Sequence, residues 1–157
     1  MKISSAEEYG LRCLLQLASA KGAYLGISAI AKAEGLTQAY TGKLMFMLKR
    51  GGIVKSTRGA HGGYNLAFSP EKVSMDRIMR ALTHMPRKEQ EICTQFPGEE
   101  SRCVHSRSAC GLRTVWFKIY KDIWGVLENT TLADLLKDGA LQEAKLSLAK
   151  EKKDAVA

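Results

Sequence analysis

The sequence predicts a mainly α-helical fold that carries one small β-hairpin. Apolar residues recur at helical spacing in several stretches, which are 11–18, 38–50, 73–83 and 111–128. Two short β-prone runs, 53–56 and 64–68, flank a glycine-rich turn. The length of 157 residues and the 45% share of apolar residues suit one small domain with an appended element.

Charge and the N-terminus narrow the class of protein. The formal net charge is +8, and no apolar run reaches the ~18 residues of a membrane span. The first residues, Met-Lys-Ile-Ser-Ser-Ala-Glu-Glu, turn acidic at once and lack the apolar segment of a signal peptide. We therefore expect a cytoplasmic protein with no membrane partner. Its four cysteines should be free, metal-bound or redox-active, because disulfides are rare in that compartment.

The first helix has two possible starting points. Ser4 with Glu7, and Ser5 with Glu8, both have the capping-box spacing, in which a carboxylate binds the backbone N–H at the helix start. Apolar residues then follow at helical spacing as far as Ala18.

The next two helices predict a helix-turn-helix. A short helix over 28–34 ends at Gly35, and Thr37 can cap a second helix over 38–50. In a helix-turn-helix the second helix enters the major groove of DNA with its N-terminal residues. Helix pairs in ordinary bundles share this pattern, so it indicates DNA binding only in combination with other features.

The hairpin and the charge distribution supply those features. Its glycine-rich tip carries Arg58, and such a wing can lie in the minor groove, where glycine permits close approach and arginine is attracted. No acidic residue lies between Glu34 and Glu71. Residues 1–85 hold 12 basic and 5 acidic side chains, a net charge of +7, whereas residues 86–157 hold 12 and 11, a net charge of +1. An ordinary hairpin on a solvated basic face is the alternative, but the combination favours DNA. The candidate contacts are Gln38, Tyr40, Thr41, Lys43, Arg50, Ser56, Arg58, Gly59 and His61.

The second half predicts a sensing and pairing region. Residues 86–110 contain three cysteines and read as a loop, and a long helix over 111–128 follows. Its apolar stripe is too wide for a solvated helix, so we expect it to pair with its symmetry mate in a homodimer. Thr131 can cap a short helix over 132–137. The predicted division is a winged helix-turn-helix domain (1–85), a cysteine-containing sensor loop (86–110), a dimerisation helix with a short closing helix (111–138) and a charged tail (139–157).

Several motifs together resemble one family. They are Tyr-Gly-Leu-Arg at 9–12, Gly-Ile-Val-Lys-Ser at 52–56, Arg-Gly-Ala-His-Gly-Gly-Tyr at 58–64 and Asn-Thr-Thr-Leu-Ala-Asp-Leu at 129–135. With the cysteine loop they resemble, over roughly residues 1–138, the Rrf-type winged-helix transcription regulators, the family of the iron–sulfur regulators IscR and NsrR. The resemblance implies a homodimer on a palindromic operator in double-stranded DNA. Tyr40 and Arg58 are the residues that best match the family's DNA contacts. The run Tyr40-Thr41-Gly42 departs from the family's usual Tyr-Leu, so the operator sequence is left open.

The cysteines are spaced C-x9-C-x6-C, as Cys93, Cys103 and Cys110. Zinc ribbons and knuckles usually carry close C-x2–4-C pairs, which this loop lacks. Three thiolates can hold an iron–sulfur cluster, and Cys110 lies at a helix start whose dipole favours an anion. The spacing alone favours three reduced thiols. The resemblance favours a [2Fe-2S] or [4Fe-4S] cluster, although the family's loop has tighter gaps.

The fourth ligand is open. In the IscR branch a histidine lies three residues beyond the third cysteine, where this chain has Arg113. In the NsrR branch an acidic ligand directly precedes the motif that this chain has at 9–12. By that resemblance the fourth ligand would be Glu8. The alternative role of Glu8 is that of capping-box partner of Ser5. His105 is a possible substitute, and Cys13 reads as a small buried hydrophobe.

The sequence thus predicts a homodimeric, sequence-specific DNA-binding transcriptional regulator, for which we favour a repressor. A labile cluster would respond to iron–sulfur status, nitric oxide or redox change. The alternative is a regulator without a cluster, switched by cysteine oxidation or a small-molecule effector. The sequence has no nucleophile–base motif and no phosphate-binding loop, so an enzyme is not expected.

Overall fold

The computed structural model describes residues 3–59, 62–83, 85–97, 99, 103–105 and 107–139. Its helices are α1 (Ser5–Ser19), α2 (Ile27–Glu34), α3 (Gln38–Arg50), α4 (Met75–Leu82), α5 (Glu89–Gln95), α6 (Gly111–Glu128) and α7 (132–139), with a 3-10 turn at Pro70–Lys72. Strands β1 (Val54–Thr57) and β2 (Gly63–Leu66) form a two-stranded antiparallel sheet. The predicted fold class, mainly α with a small β-wing, is confirmed.

A capping box at Ser4 begins α1. The Glu7 N–H donates to the Ser4 hydroxyl at 3.3 Å, and the Ser4 N–H donates to Glu7 Oε2 at 2.5 Å. Burial of Glu7 opposes its ionisation, but hydrogen bonds from Ser4 and Thr83 together outweigh burial and hold the pKa of Glu7 below its usual value. Of the two predicted starts, Ser4 with Glu7 is therefore the one the structure adopts. Glu8 is not a capping residue and pairs with Arg12 at 2.8 Å, both side chains being about half exposed.

The turn between α2 and α3 forms as its residues predict. Gly35 adopts φ 65°, in the left-handed region where glycine avoids the steric cost of a side chain, and it ends α2. The Thr37 hydroxyl accepts from the Tyr40 N–H at 3.2 Å and caps α3. The two helices pack against each other and against α1, which completes the helix-turn-helix.

The wing is fixed in register against the helical core. Val54 lies opposite Leu66 and Thr57 opposite Gly63, and both members of the first pair are buried. Gly63 adopts φ 154°, and a Cβ there would lie 2.5 Å from the Leu25 carbonyl oxygen, so only glycine permits this approach. The Leu25–Tyr64 bridge adds backbone hydrogen bonds of 2.8 and 3.0 Å.

The core is shared between the first four helices, the sheet and the chain after α6. Fully buried side chains include Leu14, Ile30, Leu44 and Ile78. After α6 the chain returns to this core, because Leu132 is fully buried and its N–H donates to the Val73 carbonyl at 2.9 Å. The segment after α6 is thereby packed against the helices and strands of the first half of the chain.

The cap at Thr131 is confirmed. Its hydroxyl accepts from the Asp134 N–H at 3.3 Å, and its own N–H donates to Asp134 Oδ2 at 3.0 Å. The helix that follows runs over 132–139. The predicted tail lies outside the described residues from 140 onward.

The segment 86–110 is not wholly a loop. It contains α5, a seven-residue helix whose one buried residue is Ile92. A single buried residue leaves no apolar periodicity, so the sequence pattern could not predict this helix. None of the helices in the described ranges is both long and apolar enough to cross a membrane.

Candidate nucleic-acid interface and cysteine cavity

The start of α3 presents only part of the predicted contact set to solvent. Gln38 and Lys43 are exposed, and Tyr40 is half-buried with its ring edge-on to Tyr9 at a centroid distance of 6.2 Å. Thr41 has no exposed area, and its hydroxyl donates to the Thr37 carbonyl at 3.0 Å. Thr41 is therefore a packing residue, and its prediction as a DNA contact is wrong.

The end of α3 exposes an aromatic residue that sequence reasoning missed. The Phe46 side chain is 58% exposed, and the Arg50 guanidinium carbon lies 5.9 Å from its ring centroid. The signal was present in the sequence, because Phe46 is out of phase with the buried positions Leu44 and Leu48 on a 3.6-residue helix. Phe46 and Arg50 thus extend the exposed face of α3.

The wing places its predicted contacts at the surface. Ser56, Arg58 and Gly59 are exposed, and Ser56 accepts a hydrogen bond from Lys49 Nζ at 2.7 Å. Gly59 adopts φ 117°, which the tight tip requires. His61 lies outside the described residues. In the part of the chain that the structure describes, no lysine or arginine between residues 35 and 70 is ion-paired, so these charges are available to a polyanion.

All three loop cysteines line one cavity of about 480 Å³. The cavity lies between α5, the following loop and the first half of α6, and its walls are largely apolar and aromatic. The lining residues are Ile92, Cys93, Gln95, Phe96, Cys103, His105, Cys110, Leu112, Arg113, Trp116 and Tyr120. The structure thus brings together three predicted ligands and the predicted substitute His105, although 17 positions separate Cys93 from Cys110.

Arg113 is the cationic residue among the described residues that line this cavity. Its Nη1 lies 3.8 Å from Cys93 Sγ, and its Nη2 donates to the Ser108 carbonyl at 3.0 Å. The hydrogen bond to Cys93 raises the pKa of Arg113, with further contributions from Cys93, Cys110 and Glu89. Sequence reasoning treated Arg113 only as the residue that replaces a histidine ligand.

The donor set fits an iron–sulfur cluster in its chemistry. Soft thiol sulfurs on an apolar, partly enclosed cavity are the ligands such clusters use, and the nearby guanidinium suits an anionic group. Among the described residues, no three His, Cys, Asp or Glu side chains are close enough together to hold a single metal ion. Glu8 does not line the cavity of its own chain.

Cys13 lies apart from this cavity. Its side chain is fully buried in the core, and burial raises the pKa of its thiol to about 11. The interpretation of Cys13 as a small buried hydrophobe therefore agrees with its surroundings.

An aromatic and ionic junction joins the cysteine-bearing part to α4. The Arg87 guanidinium carbon lies 3.5 Å from the Trp124 ring centroid on α6, and Arg87 forms an ion pair with the buried Asp76 on α4. The Arg87 N–H donates to Glu91 Oε2 on α5 at 2.7 Å, and the Trp124 indole donates to the Pro86 carbonyl at 3.2 Å. One short segment therefore contacts α4, α5 and α6 together.

The long helix exposes an apolar face. Of its 18 residues only Trp124 is buried. Five of its large apolar side chains are 42% to 74% exposed, and these are Leu112, Val115, Trp116, Ile119 and Val126. Exposed apolar stripes of this extent are typical of interaction surfaces.

A helix-turn-helix, a two-stranded wing and a basic face whose described lysines and arginines form no ion pair define a winged-helix DNA-binding protein. The model of the Rrf2 family, described as an iron-dependent transcriptional regulator, matches residues 3–138. The chain belongs to the Rrf2 family of transcriptional regulators, whose members bind DNA, and it is a regulator and not an enzyme.

Three relatives illustrate the range of the family. The Rrf2 protein of Nitratidesulfovibrio vulgaris is 34% identical over 142 residues, which cover 90% of this chain and 91% of that protein. The solved structure of T. potens IscR aligns with a TM-score of 0.67 and 31% identity, covering 88% of each chain. The structure of CymR, the global cysteine regulator of Bacillus subtilis, aligns with a TM-score of 0.66 and 30% identity, covering 87% of this chain and 97% of that one.

Proposed function

We propose that this protein is a homodimeric repressor that binds a palindromic operator and senses iron–sulfur status, nitric oxide or redox change through a labile cluster. One observation carries the sensing part of the proposal: all three loop cysteines line a single cavity at the base of α6. The thiols of a solvated loop would have no reason to converge. The similarity to IscR supports the same assignment.

The proposed DNA contacts form two groups. Gln38, Tyr40, Lys43 and Arg50 on α3 would contact the major groove. The wing residues, Ser56, Arg58, Gly59 and the predicted His61, would contact the minor groove and its phosphates. Thr41 is excluded from both groups by its burial.

The homodimer would form through α6. Its exposed apolar stripe needs a cover, and a second copy of the same helix supplies a matching surface around a twofold axis. This arrangement would place two wing-bearing units on one DNA face, where half-sites lie about one helical turn, ~34 Å, apart.

Cys93, Cys103 and Cys110 would hold the cluster, which supplies a centre that loses iron or reacts with oxidants more readily than protein groups do. Glu8 is the proposed fourth ligand, with His105 as its substitute. Since Glu8 does not line the cavity of its own chain, it would have to come from the second protomer. His105 already lines the cavity.

The junction around Arg87 offers a route from the cavity to the DNA-binding unit. Cys93 and Glu91 share α5, and Glu91 accepts the Arg87 N–H. Arg87 in turn contacts Asp76 on α4. The next residue of that helix, Arg77, donates to the Gly52 carbonyl in the turn that follows α3. A shift of α5 would therefore alter the position of α3 and the wing.

A cluster-free thiol switch is the second candidate. It is supported by the free thiols of Cys93, Cys103 and Cys110, which line one cavity, and by the similarity to CymR. Oxidation of the cavity thiols would then supply the signal.

One preparation separates the two candidates. Protein purified without oxygen is analysed for iron, acid-labile sulfide and zinc, and its visible spectrum is recorded. Stoichiometric iron and sulfide with visible absorption support the cluster, and this absorption should disappear in Cys93→Ser. A colourless protein free of metal supports the thiol switch, whereas stoichiometric zinc contradicts both.

A further inference from the structure

Arg113 occupies a distinctive place in the cysteine cavity. It lies in the first turn of α6, three residues beyond Cys110, and its side chain is only 16% exposed. Its three nitrogens contact two further segments: Nη1 is 3.8 Å from Cys93 Sγ and Nε is 3.9 Å from Glu89 Oε2 on α5, while Nη2 donates to Ser108 in the loop. One side chain thus joins α5, the loop and α6.

The chemistry of the guanidinium limits what it can do there. It is charged at all accessible pH values and has no lone pair to offer, so it cannot be a metal ligand. Its positive charge opposes a bare dication such as Zn²⁺ in the same cavity. The same charge stabilises an anionic group, and its N–H groups can donate to sulfur.

We infer that Arg113 is the positioning residue of the proposed cluster, holding the Cys93 sulfur against the 103–110 loop and placing a fixed positive charge beside the thiolates. This inference rests on the proposed cluster. Hydrogen bonds to ligand sulfur and nearby positive charge favour the more reduced, more negative state, so Arg113 raises the reduction potential. Holding Cys93 in place also slows the loss of iron.

The test uses the full-length protein with its cluster, prepared without oxygen, as wild type, Arg113→Gln, Arg113→Lys and Arg107→Gln. Arg107 is a matched control because it is an exposed arginine of the same loop that does not line the cavity. The readouts are the rate of iron release to a ferrous chelator and the reduction potential from a spectroelectrochemical titration. Circular dichroism and thermal melting of the metal-free variants establish that each one folds.

Arg113→Gln should release iron roughly tenfold faster or more, as outer-sphere substitutions at metal sites do, and its potential should fall. Arg113→Lys keeps the positive charge but loses the planar guanidinium. Its rate of iron release and its reduction potential should lie between those of the wild type and Arg113→Gln. Failure of folded Arg113→Gln to load any cluster also supports the inference, and if Arg113→Gln does not fold, Arg113→Lys decides. The role of Arg113 is overturned, and the proposed cluster is not, if iron release and reduction potential in Arg113→Gln equal those of the wild type. An equal change of both quantities in Arg107→Gln has the same meaning. Wild-type protein without iron and sulfide overturns the proposed cluster and this inference with it.

Discussion

Arg58 carries the most specific of the residue-scale predictions. It is exposed at the wing tip and no ion pair engages it within the described part of the chain, so its charge is free to enter a narrow groove. Arg58→Ala should weaken operator binding by about 1–3 kcal/mol, measured by fluorescence anisotropy at fixed salt. Lys137→Ala, an exposed lysine on α7, is the control for net charge. Equal affinities for Arg58→Ala and wild type would argue against the wing contact.

Cys13 should behave unlike the other three cysteines. Its thiol is fully buried and has a pKa of about 11, so almost no thiolate forms near neutral pH. The folded, metal-free protein is treated with N-ethylmaleimide at roughly neutral pH, where the reagent reacts with the thiolate form of cysteine. The reagent should label Cys93, Cys103 and Cys110 but not Cys13. Peptide mass spectrometry gives the answer, and labelling in denaturant is the control in which all four react. Rapid labelling of Cys13 in the folded protein would contradict its core position.

Two adjacent carboxylates of α1 have different expected roles. Glu7 has a structural role, whereas Glu8 is the proposed fourth ligand. Glu7 completes the capping box, and its pKa is lowered in the folded state, so its contribution is present above the unfolded value near 4.5 and is lost as pH falls through the lower, folded value. Glutamine at this position can still accept the Ser4 N–H, so Glu7→Gln removes the charge of the capping box and not the whole cap. It should therefore lower the unfolding free energy at neutral pH by less than the ~0.5–2 kcal/mol of a complete cap loss. The difference from wild type should vanish in acid, as followed by urea titration at several pH values.

Glu8→Gln is the matched control for that helix. Glu8 is exposed and pairs with Arg12 on the surface, where an ion pair contributes little. Its substitution should leave unfolding unchanged, yet it should alter the visible spectrum if Glu8 is the fourth ligand. A loss of stability equal to that of Glu7→Gln would mean that the cap had been assigned to the wrong residue.

The association of two chains depends on the exposed face of α6. Ile119→Glu places a charge in the middle of the apolar stripe, so it should convert a dimer into monomers at micromolar concentration, measured by sedimentation equilibrium. Ile119 is suitable because it does not line the cysteine cavity. Lys118→Glu, at an exposed position beside the stripe, should stay dimeric. A wild-type protein that sediments as a monomer would overturn the proposed homodimer.

At the scale of the whole molecule, sequence reasoning succeeded where the signal is local. The capping residues Thr37 and Thr131, the left-handed Gly35 and the phase of the α3 core positions depend on neighbours within about one turn, so they could be predicted. Thr41 was misassigned because its hydroxyl bonds its own helix and its side chain is covered by other elements, which no local pattern reports.

The sequence by itself determined the order of the helices other than α5, the wing, the concentration of positive charge in the first half and the presence of three cysteines in one segment. Only the tertiary structure decided that those cysteines share one cavity, that Arg113 contacts Cys93, and that Arg87 joins α4, α5 and α6. The physical reason is the distance along the chain over which each interaction acts. Helix periodicity and capping act over three or four residues, whereas the convergence of Cys93, Cys110 and Trp116 is set by the packing of α5 against α6.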